Sequence, residues 1–370
     1  MKPAELDLTG KRWPPDQWQP AWIRDVYFGA PDPDLHARVL PLPPEAVFAD
    51  PGWHHWGASV LQADDGTWHM FYARWPAALD AAHQTNSFQD WLWKSEIAHA
   101  VAPAMTGPWR HVETVLQGRG AGHWDLRNAH NPRLRRFDGR FYLYYIADTI
   151  DPGDDADRSN KGPNWMPLRN SQRTGVAVAD ALAGPWTRGD VPLLAPGGPI
   201  ANVAVNPTIV RRPQGDYLML AKGDAPGTRA FRYGIALGPA PGGPFAWQEQ
   251  PIDTGFSSED PDVFFDAARG RYYALITQTR FNNGRRYVPE NGGIGVIRSV
   301  DGLDWRDAGH PLVLGPVLRC ADGTERAFRR VERPSAILDA DGRLVGLTCA
   351  ALPPDGANAV TIVVPLAPER

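Results

Sequence analysis

The sequence predicts an all-β chain folded as a five-bladed β-propeller of four-stranded antiparallel blades. Two observations carry that expectation. Turn-forming residues are dense, with 37 Gly and 37 Pro among 370 residues, and a unit of turns and short apolar runs recurs five times along the chain. Hydrophobic residues at 43% and 15 Trp supply apolar surface for a large core, so the turns belong to a globular protein rather than to low-complexity disorder. A long-helix protein is disfavoured.

Each unit opens on a polar pair and a proline: His130-Asn131-Pro132, Asn206-Pro207, Glu259-Asp260-Pro261 and Glu332-Arg333-Pro334. A short run predicted as the innermost strand follows each proline, such as Arg133 to Phe137. A Gly-containing turn (Asp138-Gly139 in that copy) and an aromatic second strand come next, as in Phe141 to Tyr145. The first copy is Gly57-Ala58-Ser59-Val60-Leu61, with Ala58 where the others carry proline. A third strand then leads to a turn of the type Gly107-Pro108-Trp109, Gly184-Pro185-Trp186 or Gly243-Pro244-Phe245; Ser299 to Trp305 supplies the fourth.

The units are spaced by 74, 75, 54 and 73 residues. A four-stranded blade needs about 40–50, so several carry insertions, notably Trp75 to Ser95 and Thr149 to Ser171. The last copy has room for three strands, and a segment within Leu35 to Leu40 or Ala46 to Ala49 is expected to complete it. The domain reading is an N-terminal extension, 1–44, part of which helps to close the ring, followed by a catalytic propeller, 45–370. A two-domain β-sandwich is the rival architecture; it leaves more sheet edges open.

The balance of 38 Lys+Arg against 42 Asp+Glu offers no net basic field to a phosphate backbone, so nucleic acid is not the expected partner. No run of about 18 apolar residues suggests a membrane span, and residues 1–20 lack a signal-peptide core. The chain as numbered is expected to be cytoplasmic, or periplasmic or secreted if a leader preceded it. Cys320 and Cys349 are too few for a disulfide framework or a zinc site and are expected to be buried thiols. Composition sets no oligomeric state.

In a propeller the innermost strands line the central channel, so the residues at their starts converge on one end of it. These read His54-His55-Trp56, His130-Asn131, Asn206, Glu259-Asp260 and Glu332-Arg333. Interchangeable structural caps would be more uniform, and the mixture of imidazole, amide, carboxylate, guanidinium and indole points to a pocket.

The proline-led inner strand, the Asp-Gly-x-x-Tyr-Tyr-like hairpin and the Gly-Pro-Trp turn resemble the five-bladed propeller glycoside hydrolases, above all family 43 and the related families 32, 62, 117 and 130. The resemblance spans residues 45–366. It implies hydrolysis of a terminal glycosidic bond in a plant- or algal-type oligosaccharide by two carboxyl groups, with a third holding the proton on the acid, and no organic cofactor. The chain departs from the family pattern where Gly57-Ala58 replaces the Asp-Pro expected to hold the base and Asn131-Pro132 occupies the second blade.

The candidates for catalysis are therefore Glu259, Glu332, Asp125 and Asp260. Glu259 or Glu332 is the expected acid, Asp125 or Asp260 the base, and a remaining carboxylate the modulator. Candidate sugar contacts are His55, Trp56, Arg74, His130, Asn131, Arg173, Asn206, Lys222 and Arg333. Trp53, Trp75, Trp91, Trp93 and Trp165 are stacking candidates, whereas Trp68, Trp109, Trp186 and Trp305 occupy repeat positions expected to be core. The histidines show no helical zinc spacing, so no catalytic metal is expected. The acidic loop Asp151 to Asp157 lacks EF-hand spacing and leaves a structural calcium as the only metal in view. A glycoside phosphorylase, with phosphate held by Arg173, Lys222 and Arg333, and a catalytically silent carbohydrate-binding propeller are the alternative readings.

Overall fold

The computed structural model describes residues 30–78, 87–153, 156–159, 161–228, 230–254, 258–279, 292–354 and 358–369. A short strand β1 (Val47–Phe48) precedes four sheets that each use four consecutive strands. Blade I is β2 (Trp53–Gln62), β3 (Trp68–Pro76), β4 (Glu96–Ala102) and β5 (Arg110–Leu116). Blade II is β6 (His130–Phe137), β7 (Arg140–Ala147), β8 (Arg173–Ala179) and β9 (Thr187–Arg188). Blade III is β10 (Ala201–Arg211), β11 (Tyr217–Asp224), β12 (Phe231–Gly238) and β13 (Ala246–Trp247). Blade IV is β14 (Ser258–Asp266), β15 (Arg271–Gln278), β16 (Gly293–Ser299) and β17 (Trp305–Leu314). After a small hairpin, β18 (Val317–Arg319) and β19 (Glu325–Ala327), blade V takes β20 (Arg330–Leu338), β21 (Leu344–Leu352) and β22 (Val360–Pro365). Its outermost strand is β1, antiparallel to β22 with Val47 opposite Ile362. The five four-stranded sheets form a five-bladed β-propeller.

Of the two segments expected to close the last blade, the one around Val47 pairs with it, whereas Leu35–Arg38 is a single helical turn capped by the Asp34 side chain. Asp32, beside that turn, accepts from Arg271 Nη1 at 2.9 Å, Tyr273 Oη at 2.7 Å and the Gly309 amide at 2.7 Å, and pairs with Arg298 at 3.0 Å. The segment is thereby fastened to blade IV. The core lies between neighbouring blades: Phe71, Leu143 and Tyr145 pack between blades I and II, and Leu218, Tyr233 and Ile276 between III and IV. Trp109 is buried, and Trp68, Trp186 and Trp305 pack at the margins of these clusters. Cys349 is buried, whereas Cys320 is half-buried. Among the described residues no helix is long and apolar enough to cross a membrane.

The inner strands differ from the expected ones in one respect that shapes the site. They begin before the proline and run through it. In every blade one extra residue interrupts the pairing there, between Trp56 and Ala58, His130 and Arg133, Val205 and Thr208, Glu259 and Asp262, and Glu332 and Ser335. The residue at each bulge is left-handed: Gly57 (φ 53°), Asn131 (55°), Asn206 (54°), Asp260 (57°) and Arg333 (57°). Such a bulge leaves an amide outside the ladder, and proline, which has none to offer, fits directly after it.

Candidate active site

The fivefold bulge places a ring of side chains across the channel. Asn131 donates through Nδ2 to Asn206 Oδ1 at 2.9 Å, and Asn206 Nδ2 donates in turn to Asp260 Oδ1. Arg333 closes the ring, reaching Asp260 Oδ1 at 3.2 Å and the Asn131 carbonyl at 3.2 Å. Blade I contributes only Gly57. A Cβ there would lie 2.9 Å from both Arg333 Nε and Asn131 Oδ1, so the missing first-blade carboxylate has a steric reason: the Arg333 guanidinium occupies its place. Two residues on, a second layer forms around Asp262, which pairs with Arg133 at 3.0 Å and accepts from Thr208 Oγ1 at 2.7 Å and the Ala336 amide at 2.6 Å. The channel is plugged, and the upper ring is a floor.

Above the floor lies a cavity of about 800 Å³. Its walls include the residue preceding each bulge, namely Trp56, His130, Val205, Glu259 and Glu332. The insertions in blades I and II add Phe88, Trp91 and Trp165, and β3 adds Trp75. The cavity is thus carboxylate-bearing on the side of blades IV and V and aromatic on the side of blades I and II, a division suited to a pyranose or furanose with one apolar face.

The two glutamates have different surroundings. Glu259 is ion-paired with Lys222, whose ammonium also lies 4.3 Å from the Phe231 ring centroid. Glu332 is 15% exposed, and among the described residues its one side-chain partner is Arg330 Nη1 at 3.3 Å. Burial pushes its carboxyl up to about 7; Arg330 and Lys222 pull the other way, while the nearby charges of Glu259 and Asp260 reinforce the rise. His130 is driven well below the usual imidazole range by burial and by Arg333. It is therefore neutral at physiological pH, stacked on Trp91 at 4.8 Å, with Nδ1 engaged by Ser95 Oγ at 2.7 Å and Nε2 remaining for a ligand.

Of the thirteen candidates for catalysis and sugar contact, eight meet in this cavity, Trp56, His130, Asn131, Asn206, Lys222, Glu259, Asp260 and Glu332, and with them the stacking candidates Trp75, Trp91 and Trp165. Arg333 lies in the floor, 2% exposed. Four lie elsewhere. Asp125 is fully buried on the outer side of blade II, where its carboxylate accepts from Arg119 Nε at 2.6 Å, Tyr145 Oη at 2.7 Å and Arg188 Nη1 at 3.0 Å. His55 faces away from the axis, between Phe48 and Tyr72, 3.2 Å from Asp50. Arg74 is consumed within blade I by Glu96 at 2.9 Å and Thr114 at 3.1 Å, its guanidinium 4.1 Å from the Trp53 ring. Arg173 donates to the carbonyls of Asn170 and Gln172 at 3.0 and 2.7 Å.

Sequence reasoning missed Phe231, Arg169, Lys161, Arg329 and Arg330, all of which line the cavity. Arg329 and Arg330 had a signal, since they stand at the start of the fifth inner strand; Lys161 and Arg169 come from an insertion with no repeat to index it. Among the described residues no group of three or more His, Cys, Asp or Glu side chains could hold a metal ion, and Asp154 and Asp155 of the acidic loop lie outside them.

No family model matches the sequence, and no curated protein matches it. Solved structures do. A family 117 glycoside hydrolase of the marine bacterium Zobellia galactanivorans superposes with a TM-score of 0.59 at 18% identity, over 85% of each chain. A thermostable family-43 glycoside hydrolase gives 0.56 at 12% identity, over 86% of this chain and 96% of that one. The α-L-arabinofuranosidase of Lactobacillus brevis gives 0.55 at 14%, over 90% and 94%. The chain has the fold of these hydrolases. At these identities the likeness concerns the backbone, and the chemistry rests on the cavity itself.

Proposed function

We propose that the protein is a glycoside hydrolase in which Glu332 is the general acid and Glu259 the anionic carboxylate that works opposite it. The observation that carries this reading is the unequal pair in one aromatic-walled cavity: Glu332 is buried, which pushes its carboxyl up to about 7, while Glu259 is ion-paired with Lys222. Two carboxyls with divergent environments are what acid and base roles require. The protonated Glu332 gives its proton to the leaving glycosidic oxygen as the bond breaks. Glu259 serves the anomeric carbon, as base for a water molecule or as nucleophile. Asp260 is held by Asn206 and Arg333 in the floor, a placement suited to keeping the proton on Glu332 rather than to taking one from water. Neutral His130 offers Nε2 to a sugar hydroxyl, and the indoles of Trp56, Trp75, Trp91 and Trp165 stack on the ring.

Walls built by insertions in blades I and II support an exo-acting enzyme on a terminal residue. The neighbours named as arabinofuranosidase and family 117 hydrolase favour a plant- or algal-type oligosaccharide. The three cations considered for a phosphate site are committed elsewhere: Arg173 to carbonyls, Arg333 to the floor and Lys222 to Glu259. The test is a screen of aryl glycosides and plant and algal oligosaccharides, with products followed by mass. Phosphate-dependent turnover in the same screen would decide for phosphorolysis instead. On a substrate so found, Glu332→Gln and Glu259→Gln should each lower turnover by about 10²–10⁴; near-wild-type rates in both variants would exclude the mechanism.

A further inference from the structure

Among the described residues, the charges around the cavity do not balance. Arg169 is paired with Asp224 at 2.9 Å, Lys222 with Glu259, and Asp260 with Arg333 at 3.2 Å. Arg330 has Glu332, but a protonated Glu332 carries no charge to offset it. Arg329 and Lys161 also line the cavity, both exposed at its mouth, and among the described residues their side chains have no hydrogen bond or ion pair. Among the described residues, three cations therefore face the space without a counter-charge when the acid is armed. They come from blade V and from the blade II insertion, so one local sequence run does not explain them, and the whole chain has a net charge of −4.

Arg330 is also held in place, its guanidinium 5.7 Å from the Trp56 ring centroid and 5.4 Å from that of Phe88. A neutral sugar gives such a set nothing to do, whereas a carboxylate or sulfate ester offers acceptors that an arginine fork matches. In a walled cleft this excess also concentrates anions at the mouth.

We infer that the substrate is an acidic oligosaccharide whose anionic substituent is received by Arg329, Arg330 and Lys161. This rests on the glycoside hydrolase reading and deepens it. A negative group held by Arg330 would lie next to Glu332, placing the charged sugar at the leaving-bond end of the cavity.

The test compares matched pairs on the full-length Glu332→Gln protein by calorimetry: trigalacturonic acid against its methyl ester for a carboxylate, and a sulfated galactose disaccharide against its desulfated form for a sulfate. One acidic member should bind at least tenfold more tightly than its neutral twin, and the gap should shrink with added salt. It should fall several-fold when Arg329→Ala and Lys161→Ala are added, neither of which takes part in bond cleavage. Equal binding of the twins, binding of neither acidic member, or a gap unchanged in the triple variant would overturn the inference. The outcomes separate from those of the activity screen: cleavage of neutral sugars alone refutes acidic specificity and leaves the hydrolase standing. Tight binding of an acidic sugar with no cleavage of any glycoside by the wild type refutes the hydrolase and leaves the anion site standing.

Discussion

Replacing Gly57 by alanine should be far more damaging than one added methyl group suggests. The backbone there is left-handed, with φ 53°, which costs a residue bearing a Cβ about 1–2 kcal/mol. The methyl carbon would lie 2.9 Å from Arg333 Nε and 2.9 Å from Asn131 Oδ1, both buried and without hydrogen-bond partners among the described residues. The guanidinium cannot swing aside cheaply, because it is tied to Asp260 and to the Asn131 carbonyl. Overpacking of this kind adds about 1–3 kcal/mol, so the total should be about 2–5 kcal/mol. Gly52→Ala isolates the backbone contribution, since Gly52 has φ 81° and nothing within 4 Å of a built Cβ. Urea unfolding followed by tryptophan fluorescence would compare the two at equal m-values. If Gly57→Ala were no more destabilising than Gly52→Ala, the floor would not be the closed ring described here.

Four further outcomes follow from the structure. Turnover should decline as pH rises through about 7, where Glu332 loses its proton, and Glu332→Gln should remove that limb. Because burial raises this carboxyl in the folded state, its favourable contribution is complete below the unfolded value and is lost as pH rises through about 7, so Glu332→Gln should gain stability relative to wild type above neutrality, measurable by thermal melts across pH. Asp125→Asn should destabilise by about 3–5 kcal/mol, because Arg119 and Arg188 lose a buried counter-charge, while kcat of the folded protein stays near wild type; a large loss in kcat alone would return Asp125 to the catalytic set. Asp32→Ala should loosen residues 30–38 from blade IV, read as faster proteolysis there at unchanged active-site titration. The Asp32 carboxyl is held below its ordinary value by Tyr273, Gly309, Arg298 and Arg271 against the opposing effect of burial, so this clasp should weaken as pH falls below the usual aspartate range.

The blades were legible because their punctuation is chemical. Proline after the bulge, glycine in the hairpins and Gly-Pro-aromatic turns each answer a backbone requirement that few residues meet. The bulge itself left a fainter mark: Gly57, Asn131, Asn206 and Asp260 are of the types that tolerate a positive φ, but Arg333 is not, and the pattern is recognisable only once the five are aligned. The misplaced candidates share a cause. His55 and Arg74 lie on the first and second strands of blade I, and which face each side chain takes depends on the local register, which spacing does not specify. Asp125 lies only six residues before Asn131, yet its loop turns back on Arg119 and Arg188. Lys161 and Arg169 lie in an insertion, and a repeat cannot predict what it does not contain.

Blade V has a consequence for how the molecule comes to be folded. Its sheet pairs Val47 with Ile362, so its outer strand leaves the ribosome before blades I to IV and its third strand after them. Blades I to IV are built from neighbouring segments and can form as they emerge. The last cannot, and until it does β22 has an unpaired edge and the neighbouring blades an uncovered apolar face, the condition under which nascent chains aggregate. Joining ends so far apart costs entropy that only the final contacts return. Expression, more than stability once folded, should therefore be sensitive to substitutions at Val47, Phe48 and the residues of β22.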